Sequence, residues 1–283
     1  MQDRVVALTI GGSDSSGGAG IAADLKTMAA FGVHGAAAIT AVTAQTSLVV
    51  DSVFQVPLEL LQRQIEMVLD DMRPRGIKTG LIPSVAMIEA IAEMLARGPL
   101  LVVDPVMVAG TGDRLTTEDT LGALRATLIP IAAVITPNIA EAEVLTNRTI
   151  ASLADRRQAA RDLVAMGAGA AIVKGGHAQG EAVDVFCDSD GPVDIPGSGR
   201  IDAPEVHGTG CAYSAAITAQ LALGLSPLES ARGAKAFLER AILRSSRAGP
   251  GPAPINPCSK PQSVGVRNQP VGNPTEPHSP TDS

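Results

Sequence analysis

The sequence predicts an α/β fold, a doubly wound and mostly parallel sheet with helices on both faces, and three observations carry that prediction. Short, continuously apolar runs alternate with amphipathic stretches along the chain, as expected of strands buried on both faces and joined by crossover helices. The 283 residues are 45% hydrophobic but include only four Phe, one Tyr and no Trp. Ala, Val, Ile and Leu must therefore fill the core. Finally, charged and polar residues cluster where apolar runs stop, and in open α/β sheets ligands bind beyond the carboxyl ends of the strands.

The first strand is read at Arg4–Ile10, "RVVALTI", and it runs into "GGSDSSGGAGIAADLKT", a Gly/Ser-rich loop that opens a helix. "AAAITAVTA" (Ala36–Ala44) gives the second strand. From Pro57 to Met72 the residues Leu58, Leu61, Ile65, Val68 or Leu69, and Met72 share one face, which predicts an amphipathic helix. Strands follow at Gly76–Gly80, Leu100–Asp104, Ala132–Thr136, Ala170–Gly175 and Ala182–Cys187, with a helix opening at Thr116–Asp119. A short extended run stops at His207, and Gly208-Thr209-Gly210 leads into a helix of small and apolar residues. Ser226-Pro227-Leu228-Glu229 is a capping box with Pro at the first helical position, opening a helix towards Arg244. Ala248–Ser283 holds nine prolines, four glycines and no aromatic residue. It is read as a disordered tail after a folded domain of residues 1–247.

The opening loop invites a nucleotide reading, and two templates fail. A Walker loop needs a lysine after its last glycine, but Gly17 is followed by Gly18. The dinucleotide fingerprint fits only as Gly18-x-Gly20-x-x-Ala23, eight residues past Ile10. No acid follows at the distance a ribose would require, since Ile39–Val50 carries no carboxylate. The net charge of −7 argues against nucleic acid or an anionic membrane as partner. Cys187, Cys211 and Cys258 form no Cys-x-x-Cys pair, no run approaches a membrane span, and no secretory signal is read. A soluble cytoplasmic protein is the expectation.

Four strand-end motifs carry chemistry. Asp104 in "LLVVDPVM" ends a strand, where it either binds Mg²⁺ or forms an Asp-Pro turn. In "ITPNIAEAE", Asn138 and Glu141 are spaced as a helix cap, and also as a pair reaching a metal or phosphate. Lys174 in "AAIVKGGH" sits within a β-run, which suits an anion contact or a snorkelling side chain; His177 reads as a loop residue. "VHGTGCAYSAAI" is the strongest stretch. Its glycines admit close backbone approach, and the helix start offers free N–H groups to an anion. Cys211 lies there, where the helix dipole is expected to lower the thiol pKa. Together these pieces describe phosphoryl transfer without a Walker loop.

In this order the motifs "GGSDSSGGAGIAADLKT", "TAVTAQTS", "IKTGLI", "VVDPVMVAGTGDRL", "ITPNIAEAE", "VKGGH" and "HGTGCAYSAAI" resemble those of the hydroxymethylpyrimidine/phosphomethylpyrimidine kinase family, within the ribokinase-like superfamily. The resemblance spans about Val5 to Arg247. It implies a ribokinase-like fold, a homodimer, and ATP- and Mg²⁺-dependent phosphorylation of 4-amino-5-hydroxymethyl-2-methylpyrimidine and then of its monophosphate, for thiamine biosynthesis. By position, it implies that Gly12, Asp24 and Gln45 hold the pyrimidine, with Asp24 and Gln45 reading its edge. Gly208, Thr209 and Gly210 form the anion hole, and Cys211 assists deprotonation of the hydroxymethyl group. Lys174, Lys235 and Asn138 serve the ATP side, and Asp104 and Glu141 the metal. Three departures stand out: Ser16 in the opening loop, Gly110 where a lysine is expected, and Ala212-Tyr213 where a hydroxyl residue and a smaller group are common. The alternatives are a pyridoxine/pyridoxal kinase of the same fold and a non-catalytic pyrimidine-phosphate sensor. No helix-turn-helix pattern or basic stretch supports the sensor.

Overall fold

The computed structural model describes residues 4–96, 98–108, 116–176, 182–199 and 205–257. Gly110 and His177 lie outside these residues. In chain order the elements are β1 (Val6–Gly12), α1 (Gly20–Ala30), β2 (His34–Gln45), β3 (Val50–Gln55), α2 (Leu58–Met72), β4 (Gly76–Thr79), α3 (Val85–Leu95) and β5 (Leu100–Val103). They continue with α4 (Glu118–Ala123), β6 (Val134–Ile135), α5 (Ile139–Thr146), α6 (Leu153–Ala165), β7 (Ala171–Val173), β8 (Asp184–Asp188) and β9 (Gly191–Ile195). Last come β10 (Val206–His207), α7 (Thr209–Ala222), α8 (Pro227–Leu243) and β11 (Ala253–Pro254).

One nine-stranded sheet has the order β3-β2-β1-β4-β5-β6-β7-β8-β9. The six strands from β2 to β7 pair in parallel, and β3, β8 and β9 add antiparallel edges. The predicted strands are all present, with ends shifted by a few residues. β3 and β9 escaped the sequence reading because neither is an apolar run. Five of the six β3 residues are exposed, and β9 carries Pro192; edge strands need no second buried face and tolerate proline.

Helices α2, α3, α5 and α6 cover one face through Leu61, Ile65, Ile88, Ile91, Ala142, Ala159 and Leu163. On the other face α7 and α8 pack on Val102, Val134, Ile172 and Phe186. Every residue of α7 from Ala212 to Ala222 is buried, so this helix is enclosed all round rather than buried on one face. Its alanines let it lie close to the sheet and aim its first turn at the strand ends.

The predicted domain boundary at residue 247 needs correction. The fold continues to Pro257: Ala253 N–H donates to Glu205 O at 2.8 Å and Ile255 N–H to His207 O at 2.9 Å, pairing β11 with β10. Gly251 N–H donates to Ser47 Oγ at 3.2 Å, and Ala253 and Ile255 are buried. Composition misled because an extended proline-rich strand needs no hydrogen bonds within itself, only a neighbour to receive its few N–H groups. From Cys258 onward the tail lies outside the described residues. A chain ending at Arg247 is expected to lose about 2–4 kcal/mol, mainly through the loss of buried Ile255, whereas one ending at Pro257 keeps that packing. Thermal unfolding of the two truncations, side by side, checks this.

Candidate active site

One cavity of about 610 Å³ opens beyond the carboxyl ends of β1, β4, β5, β6 and β7. Every site residue expected from the sequence lines it: Gly12, Asp24, Gln45, Asp104, Asn138, Glu141, Lys174, Gly208, Thr209, Gly210, Cys211 and Lys235.

At one end lies the opening loop, organised by Asp14. Its carboxylate accepts N–H bonds from Ser16 at 2.8 Å, Gly18 at 3.1 Å and Ala19 at 2.8 Å. The His207 imidazole stands 3.4 Å away. Burial opposes the charge, but His207 and these backbone donors outweigh it and hold the Asp14 pKa at about 2. The loop is thus a nest wrapped round one of its own side chains. Ser15 Oγ joins it to β2, donating to Gln45 O and accepting from Gln45 N–H, both at 2.7 Å. The Gln45 amide oxygen accepts from Thr43 Oγ1 at 3.3 Å.

Asp24 is more committed than expected of a residue reading a ligand edge. Its Oδ2 accepts from Thr9 Oγ1 at 2.6 Å and from Lys78 Nζ at 2.8 Å. Both charged side chains are 1% exposed. Oδ1 alone remains, buried and without a hydrogen-bond partner among the described residues. Burial by itself would lower the Lys78 pKa, but the adjacent Asp24 carboxylate outweighs it and the pKa is raised. Lys78 also lines the cavity, and the sequence reading passed over it. The signal was available, since a lysine inside the run "GIKTG" is the anomaly that singled out Lys174.

Directly against this loop α7 begins. Gly208, its N-cap, has φ of +83°, no side-chain cap satisfies the first turn, and that turn holds no acid. The first N–H groups of a helix have no intrahelical acceptor, so this start presents donors and a positive dipole to the cavity. A Cβ on Gly208 would lie 1.9 Å from the Gly18 carbonyl oxygen. The anion hole is therefore built against the opening loop.

Cations and carboxylates line the rest of the cavity. Lys174 Nζ pairs with Asp104 Oδ1 at 3.2 Å, and Ser214 Oγ donates to Asp104 Oδ2 at 2.9 Å. Burial opposes the Asp104 charge, yet Lys174 and Lys78 hold its pKa below the usual range. Asn138 and Glu141 form the reciprocal cap of α5: Glu141 N–H donates to Asn138 Oδ1 at 2.9 Å, and Asn138 N–H to Glu141 Oε2 at 2.8 Å. The cap and the cavity position thus coexist. Burial lifts Glu141 to about 6 despite Lys174. Lys235 Nζ pairs with Asp184 Oδ1 at 3.0 Å.

The expected activation of Cys211 by the helix dipole is overturned. Its thiol accepts from Gly20 N–H and feels Lys78, both favouring the thiolate, but burial dominates and pushes the pKa up to about 12. In the resting protein Cys211 is a neutral thiol. A dipole is visible in a sequence, whereas desolvation depends on what folds over the group.

A doubly wound α/β sheet with an anion-binding helix start, no Walker loop, and a glycine-floored pocket in the same cavity defines a small-molecule kinase. The chain belongs to the phosphomethylpyrimidine kinase family, whose sequence profile matches residues 14–256. It is 46% identical over 256 residues to the hydroxymethylpyrimidine/phosphomethylpyrimidine kinase of Rhizobium meliloti (strain 1021), covering 89% of this chain and 96% of that one. It is 42% identical over 240 residues to the chloroplastic thiamine biosynthetic bifunctional enzyme of Arabidopsis thaliana, covering 83% of this chain and 46% of the plant protein. The fold is similar to that of Bacillus subtilis pyridoxal kinase in an ADP complex, with a TM-score of 0.83 and 36% identity over 89% of this chain and 97% of that one. No helix among the described residues is long and apolar enough to cross a membrane.

Proposed function

We propose that the protein transfers the γ-phosphoryl group of ATP to 4-amino-5-hydroxymethyl-2-methylpyrimidine and then to its monophosphate, supplying the diphosphate for thiamine biosynthesis. One observation carries this reading: the helix start at Gly208 is wedged against Gly18 of the opening loop, so anion hole and acceptor pocket form a single cavity. Gly12 leaves room for a flat ring, and the Gln45 amide and Asp24 Oδ1 face the ring's donors and acceptors. The N–H groups of Thr209, Gly210 and Cys211 receive the transferring phosphoryl oxygens. Lys174 and Lys235 serve the donor's phosphate chain, and Asn138 holds Glu141 in place beside it.

Among the described residues no three metal-ligating side chains form a cage. Asp104 and Glu141 nevertheless fit Mg²⁺ of the kind held by one or two carboxylates, water and substrate phosphates. The buried Glu141 carboxyl, lifted to about 6, is a charge that a nearby dication would relieve. When bound, the ion neutralises phosphate charge.

Cys211 is the group placed to take the acceptor's proton. With its thiol at about 12, the base form increases tenfold per pH unit across the neutral and alkaline range. The kcat on the hydroxymethyl acceptor is therefore expected to climb from pH 7 to 10 without a plateau. Cys211→Ala should lower kcat roughly 10²-fold, remove that slope and leave acceptor KM within a few-fold; initial rates across the pH range check all three.

ADP release measured in parallel with the hydroxymethylpyrimidine, its monophosphate and pyridoxal tests the function. Turnover with pyridoxal and neither pyrimidine would replace this reading with a pyridoxal kinase, an activity carried by a structural neighbour of this chain. Binding without turnover would make the protein a sensor.

A further inference from the structure

The last described segment alternates proline with residues that can donate. Pro250, Pro252 and Pro254 have no N–H, and Gly251, Ala253 and Ile255 each give theirs away. Gly251 N–H donates to Ser47 Oγ at 3.2 Å, Ala253 N–H to Glu205 O at 2.8 Å and Ile255 N–H to His207 O at 2.9 Å. The same three residues are buried, whereas Ala248, Gly249 and Pro250 are exposed. From Gly251 to Ile255 the chain is therefore a strap laid against the fold, with every N–H group it owns in use.

The strap touches three parts of the active site. Glu205 and His207 belong to the short stretch that leads into Gly208 and the anion hole. Pro254 reaches the opening loop, since a Cβ on Gly18 would lie 3.4 Å from Pro254 Cβ. Ser47 lies in the turn between β2 and β3, two residues after Gln45, and Thr46 N–H closes that turn on Val49 O at 2.9 Å. Pro252 itself lines the cavity.

The β2–β3 hairpin is the part that needs holding. Gln45, Val50 and Val53 line the cavity, but five of the six β3 residues are exposed, so apolar burial does little to fix this edge. Hydrogen bonds from two sides fix it instead: Ser15 grips the backbone of Gln45, and Gly251 grips the side chain of Ser47. The fit at Gly251 is close. A Cβ there would lie 2.6 Å from both Ser47 O and Ser47 Oγ, so no side chain can stand between strap and turn.

We propose that Ser47 and Gly251 are positioning residues for the acceptor: through their contact the C-terminal strap holds the hairpin so that Gln45, Val50 and Val53 form a finished wall before the pyrimidine arrives. A wall ordered in advance spares the ligand the entropy of ordering it, so the effect falls on acceptor binding and not on the chemical step. The proposal rests on the kinase reading above.

Full-length wild type, Ser47→Ala, Gly251→Ala and the double variant are compared for KM of the hydroxymethylpyrimidine, KM of ATP, kcat and melting temperature. Ser47→Ala is expected to raise the acceptor KM about three- to tenfold, the worth of one hydrogen bond. Its ATP KM and kcat should stay within about twofold, and its melting temperature should fall by no more than about 4 °C. Gly251→Ala, which forces backbone to move, should raise the acceptor KM about tenfold or more. Both changes act through one contact, so the double variant should be no worse than Gly251→Ala. If Gly251→Ala does not fold, Ser47→Ala still decides. An unchanged acceptor KM in Ser47→Ala, an ATP KM that rises with it, or single effects that multiply in the double variant overturns the role of the strap alone. A wild type without turnover on either pyrimidine overturns the kinase reading and this proposal with it.

Discussion

Lys78→Met is expected to destabilise the protein by about 3–5 kcal/mol, the usual effect of removing one member of a buried ion pair. Lys78 Nζ lies 2.8 Å from Asp24 Oδ2 and both side chains are 1% exposed. Methionine fills the space of the aliphatic stem, so packing loss is small and the penalty comes from a carboxylate left inside with only Thr9 Oγ1 to steady it. Neutralising that carboxylate should recover much of the loss, and the double variant Lys78→Met/Asp24→Asn is expected to be more stable than Lys78→Met. Urea unfolding midpoints of the four proteins of this cycle give the coupling directly. A coupling under about 1 kcal/mol would mean that the pair is solvated in solution.

Gly208→Ala is expected to fold and to lose roughly 10²- to 10³-fold in kcat/KM, since misplacement of a catalytic element by about 1 Å already costs 10²-fold. Two independent features oppose any side chain here. The backbone has φ of +83°, and the new Cβ would lie 1.9 Å from the Gly18 carbonyl oxygen. A carbonyl cannot swing aside as a flexible side chain can, so either α7 or the opening loop must shift, and acceptor and anion hole separate. Gly210 supplies the contrast: a Cβ there meets only Lys174 Nζ, at an ordinary 3.5 Å. Gly210→Ala should therefore keep the wild-type melting temperature. ADP-release kinetics together with thermal melts separate the two cases, and full activity in Gly208→Ala would refute the wedge.

Much of this arrangement was legible in the sequence because strand-end residues in a parallel sheet converge whatever the loops between them do. Asp104, Asn138 and Lys174 follow three apolar runs and meet in one cavity for that reason. Caps were legible because they are local: Ser226 with Glu229 and Asn138 with Glu141 both form the boxes that their spacing predicts. What escaped depends on three dimensions. The Cys211 pKa follows from what buries it, and the partner of Lys78 is 54 residues away in sequence. Asp14 was passed over within a loop whose glycines drew the attention, although the glycines are there so that backbone N–H groups can turn inward to this carboxylate. The tail was averaged as one composition, whereas Gly251, Ala253 and Ile255 within it are held by hydrogen bonds to the fold.

The parallel pairing of β10 with β11 also sets an order of assembly. Val206 and His207 lead straight into Gly208, and the strand that fixes them is Ala253–Pro254, the last element of the described fold. Chains are made from the N-terminus and fold as they emerge, at about 5–20 residues per second. A nascent chain can therefore complete its nine-stranded sheet and both helical layers while the approach to its anion hole is still loose. Catalytic competence therefore waits for Ala253–Pro254, and a chain stopped short of them would carry a nearly complete fold without a finished active site.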